Sequence, residues 1–235
     1  MRNMTKRRRA LMLSSSAQGR LPQEFREVQW LQGSGTQYCL TDIYPVYSSN
    51  DYTSIKGDFT VLDRENSRFS IATYWVQSSS ACRYGCTFSY AYWSQTGTYQ
   101  STLSFYFGRT NQGNALVNYS NDVYPLDIHF EINKENVVHN GGTSTKPYVT
   151  AYSSTRPLVI GGMQGSDGTV NVSNTQTRYK EFRIYNNDTL LCEFVPCYRK
   201  SDNKTGFMKI NAADGSTEFF PNLGTDEWII GTIVR

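Results

Sequence analysis

From Phe25 onward, short apolar runs alternate with polar positions and are interrupted by turn residues about every ten positions, the spacing of strands in a sandwich or barrel. The clearest run is Leu126 to Ile132. Leu126, Ile128, Phe130 and Ile132 fall on one side, and Asp127, His129 and Glu131 on the other. Successive side chains of a strand point to opposite faces, so this pattern predicts a half-buried strand. Residues 101–107 repeat it, with Leu103, Phe105 and Phe107 opposite Ser104 and Tyr106. Residues 69–75 and 87–93 alternate too, but carry aromatics on both faces, which predicts that one face packs under a loop or a partner. Phe182 to Ile184 and Leu190 to Val195 flank Asn186-Asn187-Asp188, a turn-forming triplet, and so predict a hairpin. Gly165-Ser-Asp-Gly168 is a further turn. Helical periodicity is nearly absent; the amino terminus and residues 22–31 are the places where a short helix would fit. No heptad or collagen-like repeat is present, so the chain encodes a knob or a peg rather than a long shaft.

Composition favours an all-β chain of antiparallel strands, a sandwich or a barrel, and the resemblance described below implies an antiparallel β-sandwich. A chain of 235 residues forms one principal domain by default, and 17 Tyr, 12 Phe and 4 Trp favour strands. The sandwich is assigned to residues 23–235, preceded by a basic extension at residues 1–22 that lacks the periodicity of a packed element. The whole chain has 23 basic and 20 acidic residues, but six bases (Arg2, Lys6, Arg7, Arg8, Arg9, Arg20) precede the first acid, Glu24. The remainder therefore carries an excess of three acids. A mildly acidic body with a basic tip argues against a nucleic-acid-binding face on the domain. The apolar run Ala10 to Leu13 is too short for a signal sequence or a membrane span.

Five cysteines (Cys39, Cys82, Cys86, Cys192, Cys197) are an odd set, so at least one thiol stays unpaired within the chain. Cys82 and Cys86 have no matching second pair and no nearby histidines, which favours buried thiols over a zinc site.

Three stretches together resemble the concanavalin A/laminin G-like domains of phage and prophage structural proteins. They are Leu21 to Tyr38, Pro157-Leu-Val-Ile-Gly-Gly162, and the series Tyr179 to Tyr185, Phe194 to Asp202, Gly206 to Met208 and Phe219 to Asn222. Within this resemblance Gly161-Gly162 ends a strand, Pro196 ends ladder pairing on an edge, and residues 201–204 form a polar turn. It implies a concanavalin A-like jelly roll in a bacteriophage virion part, a head or tail fibre, decoration or adhesion component assembled in the bacterial host cytoplasm. Its implied partners are other virion proteins and a host-surface glycan. Repetition on a particle implies a homo-oligomer, with a trimer as one arrangement. Calcium-binding members of the group use positioned carboxylates; Asp202, Asp214 and Asp226 lie in turns without a ligand spacing, so no cofactor is assigned and calcium stays open.

Candidate chemistry follows from the same pattern. Lys6, Arg7, Arg8 and Arg9 with Leu11, Met12 and Leu13 combine charge and apolar shape, and form the candidate virion anchor. Tyr84, Tyr92, Trp93 and Tyr99 belong to an aromatic cluster that offers sugar-stacking surfaces. Catalysis by a sandwich hydrolase would rest first on Asp127 and Glu131, which alternation places about 13 Å apart, too far for an acid and nucleophile pair. No catalytic residue is therefore assigned. A sandwich-fold glycoside hydrolase or depolymerase, and a bacterial surface lectin outside a phage, stand as the alternatives to a non-enzymatic virion protein.

Overall fold

Alternation governs the strands throughout. The computed structural model describes residues 19–93, 98–109, 114–118, 123–145, 151–172 and 176–234. In chain order the strands begin with β1 (Phe25–Glu27), β2 (Leu31–Gln32), β3 (Cys39–Leu40), β4 (Val46–Tyr47), β5 (Thr53–Val61), β6 (Phe69–Gln77) and β7 (Ser80–Trp93). They continue with β8 (Thr98–Arg109), β9 (Asn114–Asn118), β10 (Leu126–Ile132), β11 (Asn136–His139), β12 (Gly142–Thr145), β13 (Tyr152–Ser153) and β14 (Val159–Ile160). The last are β15 (Gly162–Gln164), β16 (Val170–Val172), β17 (Thr177–Asn186), β18 (Thr189–Arg199), β19 (Thr205–Asn211), β20 (Thr217–Pro221) and β21 (Ile229–Ile230). Among the described residues there is no helix, and residues 25–27 and 31–32, inside the segment where a short helix was allowed, are strands.

Two sheets build an antiparallel sandwich. The larger runs β12-β11-β10-β5-β17-β18-β19-β20, with β1 added to β18 and with β2 linking β17 to β21. The smaller runs β16-β15-β6-β7-β8-β9, with β14 joining β3 to β6. Its one parallel pairing is β15 with β6. Gly161, at φ 82, separates β14 from β15, in the left-handed region that glycine enters without steric penalty. The hairpin anticipated around residues 186–188 forms: Asn186 pairs with Thr189, and Asn187 and Asp188 take φ of 47 and 63. Positive φ at both loop residues matches the twist of the flanking strands, and Asn and Asp tolerate it better than most.

Pro196 departs from expectation. It does not end an edge; it sits inside β18, opposite Phe207 of β19. Its carbonyl accepts a bond from Val28 N at 3.0 Å, beyond the end of β1, whose pairing with β18 stops at Cys197. A strand residue's N and O point the same way, so the missing N–H faces the seam where β18 changes partner, and the ladder to β19 stays whole.

The inward residues of both sheets form one core. β5, β10 and β17 contribute Ile55, Phe59, Val61, Ile128, Phe130, Ile132, Tyr179, Phe182 and Ile184; β6, β7 and β8 contribute Phe69, Ile71, Tyr84, Phe88, Leu103, Phe105 and Phe107. The sheets meet at Phe59 and Phe69, whose rings stack at 3.6 Å and 9°, with Phe130 edge-on at 5.6 Å from Phe69 and Tyr179 at 5.1 Å. Two tyrosine hydroxyls bridge the layers: Tyr84 donates to Thr53 O at 2.9 Å, and Tyr179 accepts from Ser70 N at 3.2 Å. A buried hydroxyl without a partner would be costly, so these bonds let tyrosine fill the core. All five cysteines are buried and free. Cys82 and Cys86 face inward four residues apart on one strand, about 13 Å, which no disulfide spans.

Phe59→Ala is expected to cost about 3–5 kcal/mol of stability, because it opens a cavity at the inter-sheet stack. Urea unfolding followed by tryptophan fluorescence would measure it, and an unshifted midpoint would contradict this account of the core.

Candidate functional site

The outer face of the larger sheet is a lattice of opposite charges. Cross-strand register aligns Glu131 with Lys56, Lys56 with Arg183, and Arg183 with Glu193. Lys56 lies 3.1 Å from Glu131, and Arg183 reaches Glu193 at 2.8 Å and Glu181 at 2.7 Å. Arg20 closes the lattice. Its guanidinium contacts Glu27 and Glu181 at 2.6 Å each and Glu193 at 3.3 Å. The hydrogen bond to Glu27 is the main reason this guanidinium is held above its ordinary pKa, with Glu181 adding to it and burial opposing. An arginine fork suits such multiple carboxylate contacts, and side chains only partly exposed are less screened than a free surface pair.

Asp127 and Glu131 are both ion-paired. Asp127 accepts from Lys180 Nζ at 2.7 Å and Thr60 Oγ1 at 2.6 Å, and these bonds, Lys180 first, lower its pKa. Glu131 is paired with Lys56 and also accepts from Asn133 Nδ2 at 3.2 Å. Between them His129 Nδ1 lies 3.0 Å from Asp58. A general acid needs a carboxyl whose pKa is raised, so Asp127 is unsuited to that role.

The sugar-stacking candidates separate. Tyr84 is fully buried, with its hydroxyl bonded to Thr53 O, so no ring face reaches solvent; this corrects its assignment as a glycan contact. It shares the inward parity of Cys82, Cys86 and Phe88, which the aromatic count around it concealed. Tyr92 pairs with Tyr99 and Trp93 with Thr98 at the end of the β7–β8 ladder. The side chains of Tyr92, Trp93 and Tyr99 lie outside the described residues, as do Lys6, Arg7, Arg8, Arg9, Leu11, Met12 and Leu13.

The three carboxylates weighed for calcium are engaged in their own surroundings. Asp202 pairs with Arg199, chiefly through a hydrogen bond that holds its pKa down at about 2. Asp214 accepts from Ser216 N at 2.9 Å, and Asp226 from Thr36 Oγ1 at 3.0 Å. Among the described residues, no three metal-ligating side chains converge.

A cavity of about 460 Å³ lies where three loops distant in sequence meet, lined by Tyr52, Asn133, Lys134, Glu135, Asn136 and Asp188. Lys134 Nζ sits 5.4 Å from the Tyr52 ring centroid and donates to Ser49 O at 3.2 Å. Burial, then the hydrogen bond to Asp188, pushes the Tyr52 phenol up to about 12. Asn133 Oδ1 caps its own turn by accepting from Glu135 N at 3.1 Å and Asn136 N at 2.7 Å. The cleft is a polar, hydrogen-bonding recess. Sequence reading missed it because its walls come from positions 52, 133–136 and 188, each individually an ordinary turn.

Lys180→Met is expected to raise the Asp127 pKa toward the free value of about 3.9. A depressed folded pKa contributes stability above the unfolded pKa and loses it as pH falls through the folded one, so the variant should show a weaker acid dependence, by a few tenths of a kcal/mol at this exposed site. Carboxyl carbon NMR titration of Asp127 would check the shift; an unmoved titration would contradict the pairing.

No protein-family profile matches this chain, and no curated protein matches it in sequence.

Proposed function

We propose that this chain is a non-enzymatic structural or adhesion protein of a bacteriophage particle, attached through its basic leader and displaying the sandwich toward neighbouring virion proteins or a host-surface glycan. The observation that carries the reading is the Arg20 clamp. Three carboxylates from β1, β17 and β18 grip Arg20, near the end of the basic extension, so the extension is tied to the sheet at that residue. An anchor peptide transmits position to the domain only if its root is held this way.

A second feature adjoins that root. Glu27, whose carboxylate holds Arg20, also accepts Val234 N at 3.0 Å through its carbonyl. The carboxyl-terminal strap it secures exposes Ile229, Ile230, Ile233 and Val234, each more than 40% accessible. Ionic root and apolar strap thus adjoin one another, which is the mixture of charge and apolar area that a protein–protein contact uses. The concanavalin A/laminin G-like resemblance supports the same reading. Its three stretches supply β1 and β2, β14 up to the start of β15, and β17 to β20, and most of these strands are neighbours in the larger sheet.

Removal of residues 1–18 is expected to leave a folded, soluble domain that no longer enters particles, and Arg20→Ala to reduce incorporation while leaving strand content unchanged. Complementation of a phage lacking the gene, with particle-bound protein quantified by immunoblot and circular dichroism of the purified variants, would test both. Undiminished incorporation of the truncated chain would refute the anchor.

A further inference from the structure

On the outer face of the smaller sheet a cation stands between two aromatic rings with no ion-pair partner among the described residues. Tyr74 of β6 is the cross-strand partner of Arg83 of β7, and Tyr106 of β8 stands opposite Gly85, one inter-strand step away on the same face. These three side chains have the parity opposite to Thr73, Tyr84 and Phe105, which point into the core, and all three are partly exposed. The Arg83 guanidinium carbon lies 5.5 Å from the Tyr74 ring centroid and 5.4 Å from that of Tyr106. The Tyr106 hydroxyl is oriented in turn by a bond from Thr87 Oγ1 at 3.3 Å.

Arg83 differs from the arginines of the charged lattice. Among the described residues it has no ion pair and no hydrogen bond, and its Nε is shielded from solvent without an acceptor. A guanidinium presents donors in a planar fork that matches a carboxylate, and here two aromatic rings already confine it. The cost of ordering a long side chain is therefore met before any ligand arrives, and an acceptor on the fork would gain a charge-assisted, two-point contact. The flanking rings stand two strands apart, on β6 and β8, with the guanidinium between them, and their faces suit the C–H faces of sugars.

We propose that Tyr74, Arg83 and Tyr106 form a binding platform for an acidic polysaccharide, with the carboxylate of one sugar on Arg83 and the two sugars that flank it in the chain against the two tyrosines. The inference rests on the reading of this protein as a displayed binding module and names the ligand class of that module. The same carboxylate chemistry is offered by hexuronic acids and by sialic acids, so both are used as probes.

Titration of isotope-labelled full-length protein with tetragalacturonate and with tetrameric α2,8-linked sialic acid should perturb the amides of residues 74, 83 and 106 for at least one of them. Arg83→Gln should weaken that binding roughly tenfold or more, the size expected for losing a charged hydrogen-bond pair, while thermal unfolding confirms the fold. Arg83→Lys, which keeps the charge without the fork, should recover only part of it. Methyl-esterified tetragalacturonate, which has no carboxylate charge, should not compete. Failure of both acidic probes to bind, equal binding of the methyl ester, or unchanged affinity in Arg83→Gln would overturn the platform. Incorporation of Arg83→Gln into particles, scored separately, tells failure of the platform from failure of the attachment reading.

Discussion

The contact between Phe59 and Phe69 is the constraint on which the rest of the molecule depends. Each belongs to a different sheet, each is essentially inaccessible to water, and their stacked rings set how closely the layers approach. Phe130 and Tyr179 complete the cluster from β10 and β17, so the strands at the middle of the larger sheet are all referenced to one residue of β6. Gly57 shows how tight the surroundings are: a Cβ there would lie 2.7 Å from Phe182 Cβ. Core side chains interdigitate at crystal-like density, so such a position fixes register as firmly as hydrogen bonds do. Once this layer is closed, Asp127, His129 and Glu131 of β10, Lys56 and Asp58 of β5, and Arg183 of β17 are turned to the outer face.

That commitment creates two outer faces with different chemistry. On the larger sheet many outward positions carry acids and bases that pair with one another, as Lys56 does with Glu131, Lys180 with Asp127 and Arg183 with Glu193. Exposed pairs of this kind add little stability individually, but they favour the ionised carboxylate, as the lowered pKa of Asp127 beside Lys180 illustrates. On the smaller sheet, among the described residues, the outward row of Tyr74, Arg83 and Tyr106 has no such carboxylate, and its cation lies between ring faces. One face is electrostatically closed, whereas the other is open to an anion. Arg20 extends the closed face to the leader and so joins the attachment end of the chain to the rigid sheet.

Much of the strand content was legible in residue order. The run from Leu126 to Ile132, the inward set Leu103, Phe105 and Phe107, the Asn187-Asp188 hairpin and the turn at residues 165–168 are all local: side-chain period, or turn residues between apolar runs, suffices to predict them. Asp127, His129 and Glu131 were likewise placed on one outward face by alternation, and their separation already spoke against paired-carboxylate chemistry. Pro196 misled because a missing N–H signals an edge only when that nitrogen faces a ladder, and which side it faces depends on where β1 ends.

Partnership across long sequence distances could not be read in this way. Tyr84 and Arg83 are adjacent in the chain, yet one is sealed against Thr53 while the other stands between two tyrosines; composition marked the cluster as aromatic without saying which member was inside. The Arg20 clamp draws on positions 27, 181 and 193, and the polar cleft on positions 52, 133–136 and 188. The chain's pattern of apolar and polar residues was enough for the class of fold and for the two faces of its regular strands, because both follow from a period of two. Which strands became neighbours, and hence which charges were neutralised and which cation was left open, came from the packing of two sheets around shared rings, a condition that no short stretch of residues contains.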